Sequence, residues 1–227
     1  MTNAANLLRT KVGSLAQEYR LNIISNNVAN ANTPGFKRDV PVFEGFIVKA
    51  TKTHFEQGPI EFTGNKLDLA LQGPGFFQIE TENGVRYTRN GTFTVNSAGQ
   101  IVNLDGQVVV GSGRIPEETV DLVVNEDGTI MADGTDVGRL EIVEFEDTSV
   151  LKKEGYNNFA TKNPDVRGAE PEKTTVSQGC VEKPNFNVVE EMVNMIDTIR
   201  TFESFQKVIL SFEEADQRSI NEVGRLI

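Results

Sequence analysis

The residues that most often carry chemistry are scarce in this chain and do not form a set. Among its 227 residues, His54 is the only histidine and Cys180 is the only cysteine. A zinc site needs several ligands, and a cysteine nucleophile needs a neighbouring base. Neither residue has such a neighbour in sequence. We therefore expect His54 to be a structural or surface residue, and Cys180 to be a small residue where the chain re-enters its helical part.

Carboxylates and glycines form a second group of candidates. Residues 125–127 and 133–136 bring carboxylates together, as a calcium site does, but they lack the spacing of an EF-hand loop. Their Asp-Gly pairs are typical of hairpin turns, and we interpret them as turns. Residues 111–113 form a GxG without the rest of a dinucleotide or phosphate loop. The sequence therefore predicts no metal and no cofactor.

Glycoside hydrolysis is the enzymatic alternative that the carboxylates leave open. It needs two carboxyl groups that flank a cleft, and the candidates are Glu80 with Glu82 or Asp133 with Asp136. Neither pair has a supporting context in the sequence. We therefore expect a protein that binds and is not an enzyme, with a cell-wall glycosidase as the alternative.

The elements that must position these residues begin with an amphipathic helix from about residue 4 to about residue 30. Its apolar residues recur at helical spacing; they are Leu8, Val12, Leu15, Tyr19 and Ile23. Five asparagines between positions 22 and 32 compete for backbone hydrogen bonds. Pro34 and Gly35 then favour a turn, because proline lacks an amide donor and glycine tolerates positive φ. The helix is therefore expected to end near Asn30.

A second, longer helix is predicted over residues 188–227. Spacings of four and three residues alternate along it, and nine of the twelve seam positions are apolar. A seam of this length is typical of a helix that packs against partner helices. We hypothesise that the seams of both helices are buried only between neighbouring molecules. The predicted self-assembly interface consists of Leu8, Val12, Leu15, Tyr19, Ile23, Met192, Met195, Ile199, Phe202, Ile209, Ile220 and Val223.

The middle of the chain has the pattern of an antiparallel β domain. Asn83-Gly84 is a strong hairpin signal between two alternating segments. Similar turn signals follow at 90–91, 97–99, 105–106, 127–128 and 133–134, with short apolar segments between them. Short strands with a turn every eight to twelve residues indicate a sandwich or a barrel.

The predicted fold is therefore α+β, with an antiparallel β domain inserted between two long terminal helices. Residues 1–37 and 178–227 form a discontinuous helical domain, and residues 60–150 form the β domain. Residues 38–59 connect them, and residues 151–177 are an extended return segment. The two helices can meet only if the ends of the inserted domain lie close together.

The charge distribution restricts the partners. The net charge is −11, and residues 1–37 carry four basic residues against one acidic residue. A net acidic chain argues against a nucleic-acid partner. Neither end contains the ~18 consecutive apolar residues of a membrane span, so no membrane insertion is expected. No apolar signal core precedes a cleavage site, which favours the cytoplasm or an export route without a conventional signal.

Four motifs, in order along the chain, carry a family resemblance. They are ISNNVANANTPGFKR from Ile24, FTGNKLDLALQGPGFF from Phe62, RYTRNGTF from Arg86, and VVEEMVNMI from Val188 with RTFE from Arg200. Together they closely resemble the signatures of the bacterial flagellar rod and hook proteins. The resemblance extends over essentially the whole chain.

The resemblance implies a structural subunit of the flagellar basal-body rod, which crosses the periplasm and transmits torque from motor to hook. Its partners would be copies of itself and homologous rod proteins, and the flagellar type III export apparatus in transit, with an uncleaved N-terminus. The short passage from residue 43 to residue 59 favours a proximal rod protein. A distal rod protein and a non-rod helical adaptor are the alternatives.

The asparagine-rich signature has two interpretations. We predict a hinge and contact loop that sets the angle between the helical and β regions. Its residues are Asn26, Asn27, Ala29, Asn30, Thr33, Pro34, Gly35 and Phe36. The alternative is a simple helix stop followed by a linker.

Overall fold

A computed structural model describes residues 2–45, 47–155, 157–163 and 166–223. The chain divides into two compact units. The helical unit comprises Met1–Asn30, Asp39–His54 and Phe186–Ile227. The β unit comprises Ala31–Arg38 and Phe55–Asn185.

Two long helices and seventeen strands account for the regular structure of the described ranges. The helices are α1 (Thr2–Ala29) and α2 (Val188–Val223), and a short 3₁₀ helix covers Thr148–Val150. The strands are β1 (Asp39–Glu44), β2 (Ile47–Thr53), β3 (Ile60–Phe62), β4 (Leu69–Gln72), β5 (Phe76–Thr81), β6 (Gly84–Thr88), β7 (Phe93–Val95), β8 (Ile101–Asn103), β9 (Val108–Val109), β10 (Leu122–Val124), β11 (Thr129–Ala132), β12 (Thr135–Arg139), β13 (Ile142–Val143), β14 (Leu151–Lys153), β15 (Asn158–Thr161), β16 (Thr175–Gln178) and β17 (Cys180–Glu182).

The helical unit contains α1, α2 and the hairpin of β1 and β2. The ends of both helices follow from local hydrogen bonds. The Asn30 amide donates to the carbonyls of Asn26 and Asn27, which closes the last turn of α1. At the start of α2 the Asn187 side chain accepts from the Val189 amide at 2.9 Å, as an N-cap residue does. Glu190 in the first turn of α2 is favoured there by the helix dipole.

The β unit is built from antiparallel strands. Its largest sheet has the order β14-β15-β6-β5-β9-β8-β7, and β13 pairs with β5. The strands β5 and β6 form the hairpin expected at Asn83-Gly84, where Thr81 pairs with Gly84 and Gly84 takes φ of +95°. A three-stranded sheet of β10, β11 and β12 and two smaller pairs complete the unit.

The two smaller pairs bring the start and the end of the β unit together. The strand β16 pairs with β4, and β17 pairs with β3. The Lys183 amide donates to the carbonyl of Pro59 at 2.8 Å, and the Arg38 amide donates to the Asn185 side chain at 2.8 Å. The chain therefore enters and leaves the β unit side by side, as an inserted domain requires.

Aromatic side chains form a compact second core in the β unit. Phe159 has no solvent exposure, and its ring meets those of Phe55 and Phe76 edge to face at 5.0 and 5.9 Å. Such pairs add roughly 0.5–1.5 kcal/mol to the gain from burial. The larger core lies around Leu69, Ile79 and other buried aliphatic residues.

The α+β class and the inserted antiparallel domain are confirmed. The extents of the segments differ from those that the sequence suggested. The connector at 38–59 contains β1 and β2, and the return segment at 151–177 contains β14, β15 and most of β16. These strands include lysine, threonine and asparagine, so their hydropathy pattern is weak although their backbones pair.

A comparison of two phenylalanines tests where the stability of the β unit lies. We expect Phe159→Ala to destabilise the protein by about 3–5 kcal/mol, since it leaves a cavity between packed rings. Phe62→Ala is the matched control, because Phe62 is 77% exposed, and it should change stability little. Denaturant unfolding followed by circular dichroism measures both. Equal losses for the two variants would contradict this account of the core.

Candidate assembly interface

The two terminal helices pack antiparallel to each other within the helical unit. At one end, the Asn27 side-chain amide donates to the Glu191 carboxylate at 3.1 Å. Further along, the Gln206 side-chain amide donates to the Ser14 hydroxyl at 3.0 Å. The sum of the paired residue numbers is nearly constant, as it must be for antiparallel helices in register. The chain thus joins its two ends, although 163 residues separate Asn27 from Glu191.

Small residues let α1 approach α2 closely. Gly13, Ser14 and Ala16 are buried on α1. A Cβ atom at Gly13 would lie 2.9 Å from the Phe205 ring, which is closer than side chains normally approach. The packed face of α1 is therefore fitted to the aromatic side chains of α2.

The helix α2 has two apolar faces, and α1 covers one of them. The covered face shows alternating spacings of four and three residues and is buried or half-buried; it contains Glu191, Met195, Thr198, Phe202, Phe205, Ile209 and Phe212. A second set lies about 150° around the helix at 3.6 residues per turn; it contains Val189, Met192, Val193, Ile196 and Ile199. Its exposed fractions run from 37% at Ile199 to 68% at Val189. We call this second set the outer face of α2.

The predicted seam of α2 is divided between these two faces. Met195, Phe202 and Ile209 are half-buried on the covered face, whereas Met192 and Ile199 belong to the outer face. The side chains of Ile220 and Val223 lie outside the described residues. Val189, Val193 and Ile196 were missed, because a seam that starts at Val188 passes beside them.

The predicted residues of α1 are divided in the same way. Ile23 is buried, and Val12 is half-buried. Leu8, Leu15 and Tyr19 are exposed. The structure therefore does not bring the five residues of this stripe together against α2.

The predicted hinge residues lie on both sides of the boundary between the units. Asn26, Asn27 and Ala29 belong to α1, and Asn30 follows it. Asn27 is the buried member, and it exchanges hydrogen bonds with the backbone of Asp39 at 2.8 and 3.0 Å. It therefore fixes the end of α1 to the start of β1.

The rest of the signature belongs to the β unit, and we call residues 31–38 the signature loop. Gly35 takes φ of +67°, and a Cβ atom there would lie 2.3 Å from the backbone of Arg89. The carbonyl of Pro34 accepts from the Asn157 side chain at 3.0 Å. The Phe36 ring is buried with the Lys153 ammonium 3.8 Å from its centroid. The loop is thus packed on the β unit along its length.

Lys37 of the signature loop belongs to a buried cluster of three charged side chains. Lys37 has no solvent exposure, and Glu182 and Arg89 are 1% and 2% exposed. The Lys37 ammonium donates to the Glu182 carboxylate at 2.5 Å and to the carbonyl of Glu56 at 2.7 Å. The other carboxylate oxygen faces the Arg89 guanidinium at 3.4 Å. Burial lowers the pKa of the Lys37 ammonium, and the Glu182 charge opposes that shift.

Backbone groups add further hydrogen bonds to this cluster, and Arg89 Nε is its one buried polar atom without a partner among the described residues. The Gly58 amide donates to the Glu182 carboxylate at 2.8 Å, and Arg89 donates to the carbonyl of Gly73 at 2.6 Å. A buried charge is tolerated only when it is paired and hydrogen-bonded. Sequence reasoning missed this cluster. Its signal was present, since Lys37 and Arg89 lie in two of the family motifs and Glu182 lies near the return to the helix.

The aspartates considered for metal binding or hydrolysis accept backbone hydrogen bonds, and Glu80 and Glu82 are exposed. Asp127 accepts from the Thr129 amide at 3.0 Å, and Asp136 accepts from the Gly138 amide at 3.1 Å. Asp133 accepts from the Asp121 amide at 2.8 Å. Across the described ranges, no three histidine, cysteine or acidic side chains group as metal ligands do. Nor is any helix in these ranges long and apolar enough to cross a membrane.

Three segments of the chain match known protein families, and all three families are flagellar rod or hook proteins. Residues 8–37 match the flagella basal body rod protein family, residues 70–132 match the flagellar hook protein FlgE/F/G D1 domain, and residues 177–222 match the flagellar basal body rod FlgEFG protein C-terminal family.

Individual relatives cover nearly the full length. The chain is 31% identical to the flagellar basal-body rod protein FlgF of Caulobacter vibrioides, over all of both chains. It is 30% identical to the rod protein FlgG of Buchnera aphidicola from Schizaphis graminum, over 92% of this chain and 96% of that one. It is 31% identical to FlgG of Agrobacterium fabrum, over 89% of this chain and 93% of the relative.

Substitutions of the adjacent residues Asn27 and Asn26 test the packing of the two helices. In Asn27→Asp a carboxylate replaces the amide that donates to Glu191, so two acidic groups meet in a buried place. We expect a loss of about 1–3 kcal/mol at neutral pH. The loss should shrink as the pH falls towards 4, because the new carboxyl, with its raised pKa, takes up a proton in the folded state. Asn26→Asp, at an exposed position, should show little of either effect in thermal unfolding.

Substitutions of two lysines test how much the buried ion pairs contribute to stability. Lys37→Met leaves the Glu182 carboxylate buried with only Arg89 as a cation, and we expect a loss of about 3–5 kcal/mol. Lys183→Met removes a lysine that pairs with Glu61 at the surface, and it should cost less than about 1 kcal/mol. Urea unfolding measures the difference. Similar losses would show that the buried cluster does not hold the signature loop in place.

Proposed function

The chain belongs to the family of bacterial flagellar basal-body rod proteins and is a structural subunit of the rod, and from this premise we propose how it assembles. The terminal helices join it to copies of itself and to homologous rod proteins. The resulting shaft carries torque from the motor to the hook. We further propose that the chain has no catalytic activity, because its candidate carboxylates either accept backbone hydrogen bonds or are exposed.

The observation that supports this proposal is the outer face of α2. It exposes four aliphatic side chains and one methionine along three turns of one helix, whereas the opposite face is already covered by α1. Exposed apolar groups in such a contiguous arrangement mark interaction sites more often than single exposed residues do. On α1, Leu8, Leu15 and Tyr19 add a second exposed apolar stripe.

The number of apolar residues is sufficient for a stable association. Complete burial of one aliphatic side chain contributes roughly 1.5–3 kcal/mol, and association costs about 4–15 kcal/mol in lost freedom. Several such residues must therefore be buried together, and the helical unit offers them on two surfaces. A contact between different surfaces of successive subunits repeats without closing, as a rod requires.

The twelve residues of the predicted interface remain our proposal, with Val189, Val193 and Ile196 added to it. The covered residues Met195, Phe202 and Ile209 would pack against α1 and so hold the outer face of α2 in position. The exposed ones, such as Leu15, Met192 and Ile199, would contact neighbours. We also retain the hinge proposal for residues 26–36, because the boundary between the two units falls within this segment.

A position in the proximal rod is the finer part of the proposal. The β1–β2 hairpin turns directly from Glu44 to Ile47, which leaves no room for an additional segment there. A distal rod protein is the alternative, since the relatives include both FlgF and FlgG. Basal bodies from a strain that lacks the distal rod protein should still contain this chain. Its absence from them would favour the distal position.

Delivery through the flagellar type III export apparatus, without cleavage of a signal peptide, completes the proposal. It would place the chain in the periplasm-spanning rod without a nucleic-acid partner, consistent with its net charge of −11. The mass of the chain recovered from purified basal bodies should equal that of the full sequence. A shortened N-terminus in the assembled rod would contradict this route.

A charge placed on the outer face of α2 tests the assembly proposal. We expect Ile196→Asp to abolish incorporation into basal bodies and motility, because a carboxylate would have to be buried at the interface. Its folding should be unchanged, since Ile196 is 50% exposed. Thr201→Asp adds the same charge at an exposed position away from this face and should assemble normally. Incorporation of Ile196→Asp into normal rods would show that the outer face is not the interface, and discrete small complexes of the wild-type chain would favour the helical adaptor instead.

A further inference from the structure

A groove on the helical unit offers a specific place for the outer face of α2. It lies between α1 and the β1–β2 hairpin, with a volume of about 440 Å³. Its apolar lining consists of Val12, Leu15, Ala16, Tyr19, Ile47 and Val48. We propose that this groove receives the outer face of α2 from a second copy of the chain. This inference rests on the proposed function and identifies which surface meets which.

The groove is formed by side chains that are held in place. Ala16 is buried and leaves space between its larger neighbours. The Tyr19 hydroxyl shares a hydrogen bond with the Thr51 hydroxyl at 2.7 Å, which fixes the hairpin against α1. Leu15 and Ile47, by contrast, are 64% and 65% exposed. A fixed shape with apolar sides is therefore presented to the solvent.

The outer face of α2 has the complementary chemistry. Its side chains are aliphatic or methionine, which fit an apolar groove and carry no group that needs a hydrogen-bond partner. They recur at i, i+3, i+4, i+7 and i+10, so they form one continuous ridge on the helix. A helix laid into an apolar groove by such anchors is a common mode of recognition.

Net charge favours this pairing over the symmetric pairing of two α2 helices. The helix α1 carries three basic residues and one acidic residue, Glu18, which lines the groove. The hairpin adds Lys49 and Lys52 on β2 and Asp39 and Glu44 on β1, so α1 and the hairpin together have five basic and three acidic residues. The helix α2 carries eight acidic residues and three basic ones. Two α2 helices would therefore place like net charges together, whereas the elements around the groove are net positive and place opposite net charge against α2.

The pairing cannot be satisfied within one molecule. In its own helical unit α2 turns its covered face to α1, and its outer face lies about 150° away around the helix. The groove of each copy and the outer face of each copy are therefore both left for neighbours. The contact is heterologous, and each added subunit presents the same two surfaces again.

Disulfide formation between two differently tagged copies tests the pairing directly. Both copies carry Cys180→Ser, so that the introduced cysteines are the only thiols. One copy carries Leu15→Cys or Ile47→Cys, and the other carries Ile196→Cys. The copies are expressed together, basal bodies are purified and oxidised, and non-reducing electrophoresis is followed by detection of both tags. We expect a dimer that contains both tags, because a disulfide forms only when the two Cα atoms lie within about 7 Å.

The control replaces the groove cysteine with Ser25→Cys, at an exposed position of the same helix outside the groove and outside the proposed interface. Mixed-tag dimers should then be at least tenfold fewer. Mixed dimers in equal amount with Ser25→Cys, or dimers of the Ile196→Cys copy with itself alone, would overturn the pairing while the rod still assembles. If the cysteine copies are excluded from rods, the same oxidation of the folded full-length chains at high concentration decides the question. Absence of even the wild-type chain from basal bodies would instead contradict the proposed function.

Discussion

A lysine without solvent exposure constrains the whole β unit. Lys37 can remain charged only where a carboxylate and a carbonyl oxygen meet it, and the carboxylate comes from Glu182, 145 residues later in the chain. The signature loop, where the chain enters the β unit, and β17, near the point where it leaves, must therefore lie side by side. The pairing of β3 with β17 has the same consequence, as does the fit of Gly35 against the backbone of Arg89. The β unit is an insertion in the sequence, and these contacts hold its entering and leaving segments together.

The helical unit depends on a different balance. Its two helices hold each other through small residues on α1, aromatic residues on α2 and a few polar contacts such as that of Asn27 with Glu191. This leaves a second apolar face on each helix in contact with water. A single chain thus satisfies the packing of its helices only in part. Residual apolar surface on a folded unit is what permits association without prior unfolding, since no existing contact has to be broken.

The sequence was sufficient for the class of fold and for the β hairpins, because turn residues such as Asn83-Gly84 act locally. It located both long helices within a few residues. It did not identify the covered face of α2, and the reason is physical. Positions 191 and 198 are Glu and Thr, while their neighbours at 192 and 199 are Met and Ile, so hydropathy favours the wrong side of the helix. In the structure Asn27 donates to Glu191, and the Thr198 hydroxyl donates to the carbonyl of Asn194. Polar residues can thus be covered when they find a hydrogen-bond partner, either on the other helix or one turn away, and hydropathy periodicity does not reveal such partners. The buried cluster of Lys37, Glu182 and Arg89 escaped for the same reason.

The two units therefore divide two physical tasks. In the β unit, aromatic packing around Phe159 and buried ion pairs stabilise one chain by itself, and the free energy of these contacts does not depend on concentration. In the helical unit, part of the available burial is left to other molecules, so its stabilisation rises with the concentration of partners or within an assembly. A subunit that kept all of its apolar surface covered would gain stability as a monomer and lose the driving force for a shaft. The outer face of α2 and the groove beside α1 are then properties required of a polymerising protein, and their cost to the isolated chain is the reason that the β unit must be stable without them.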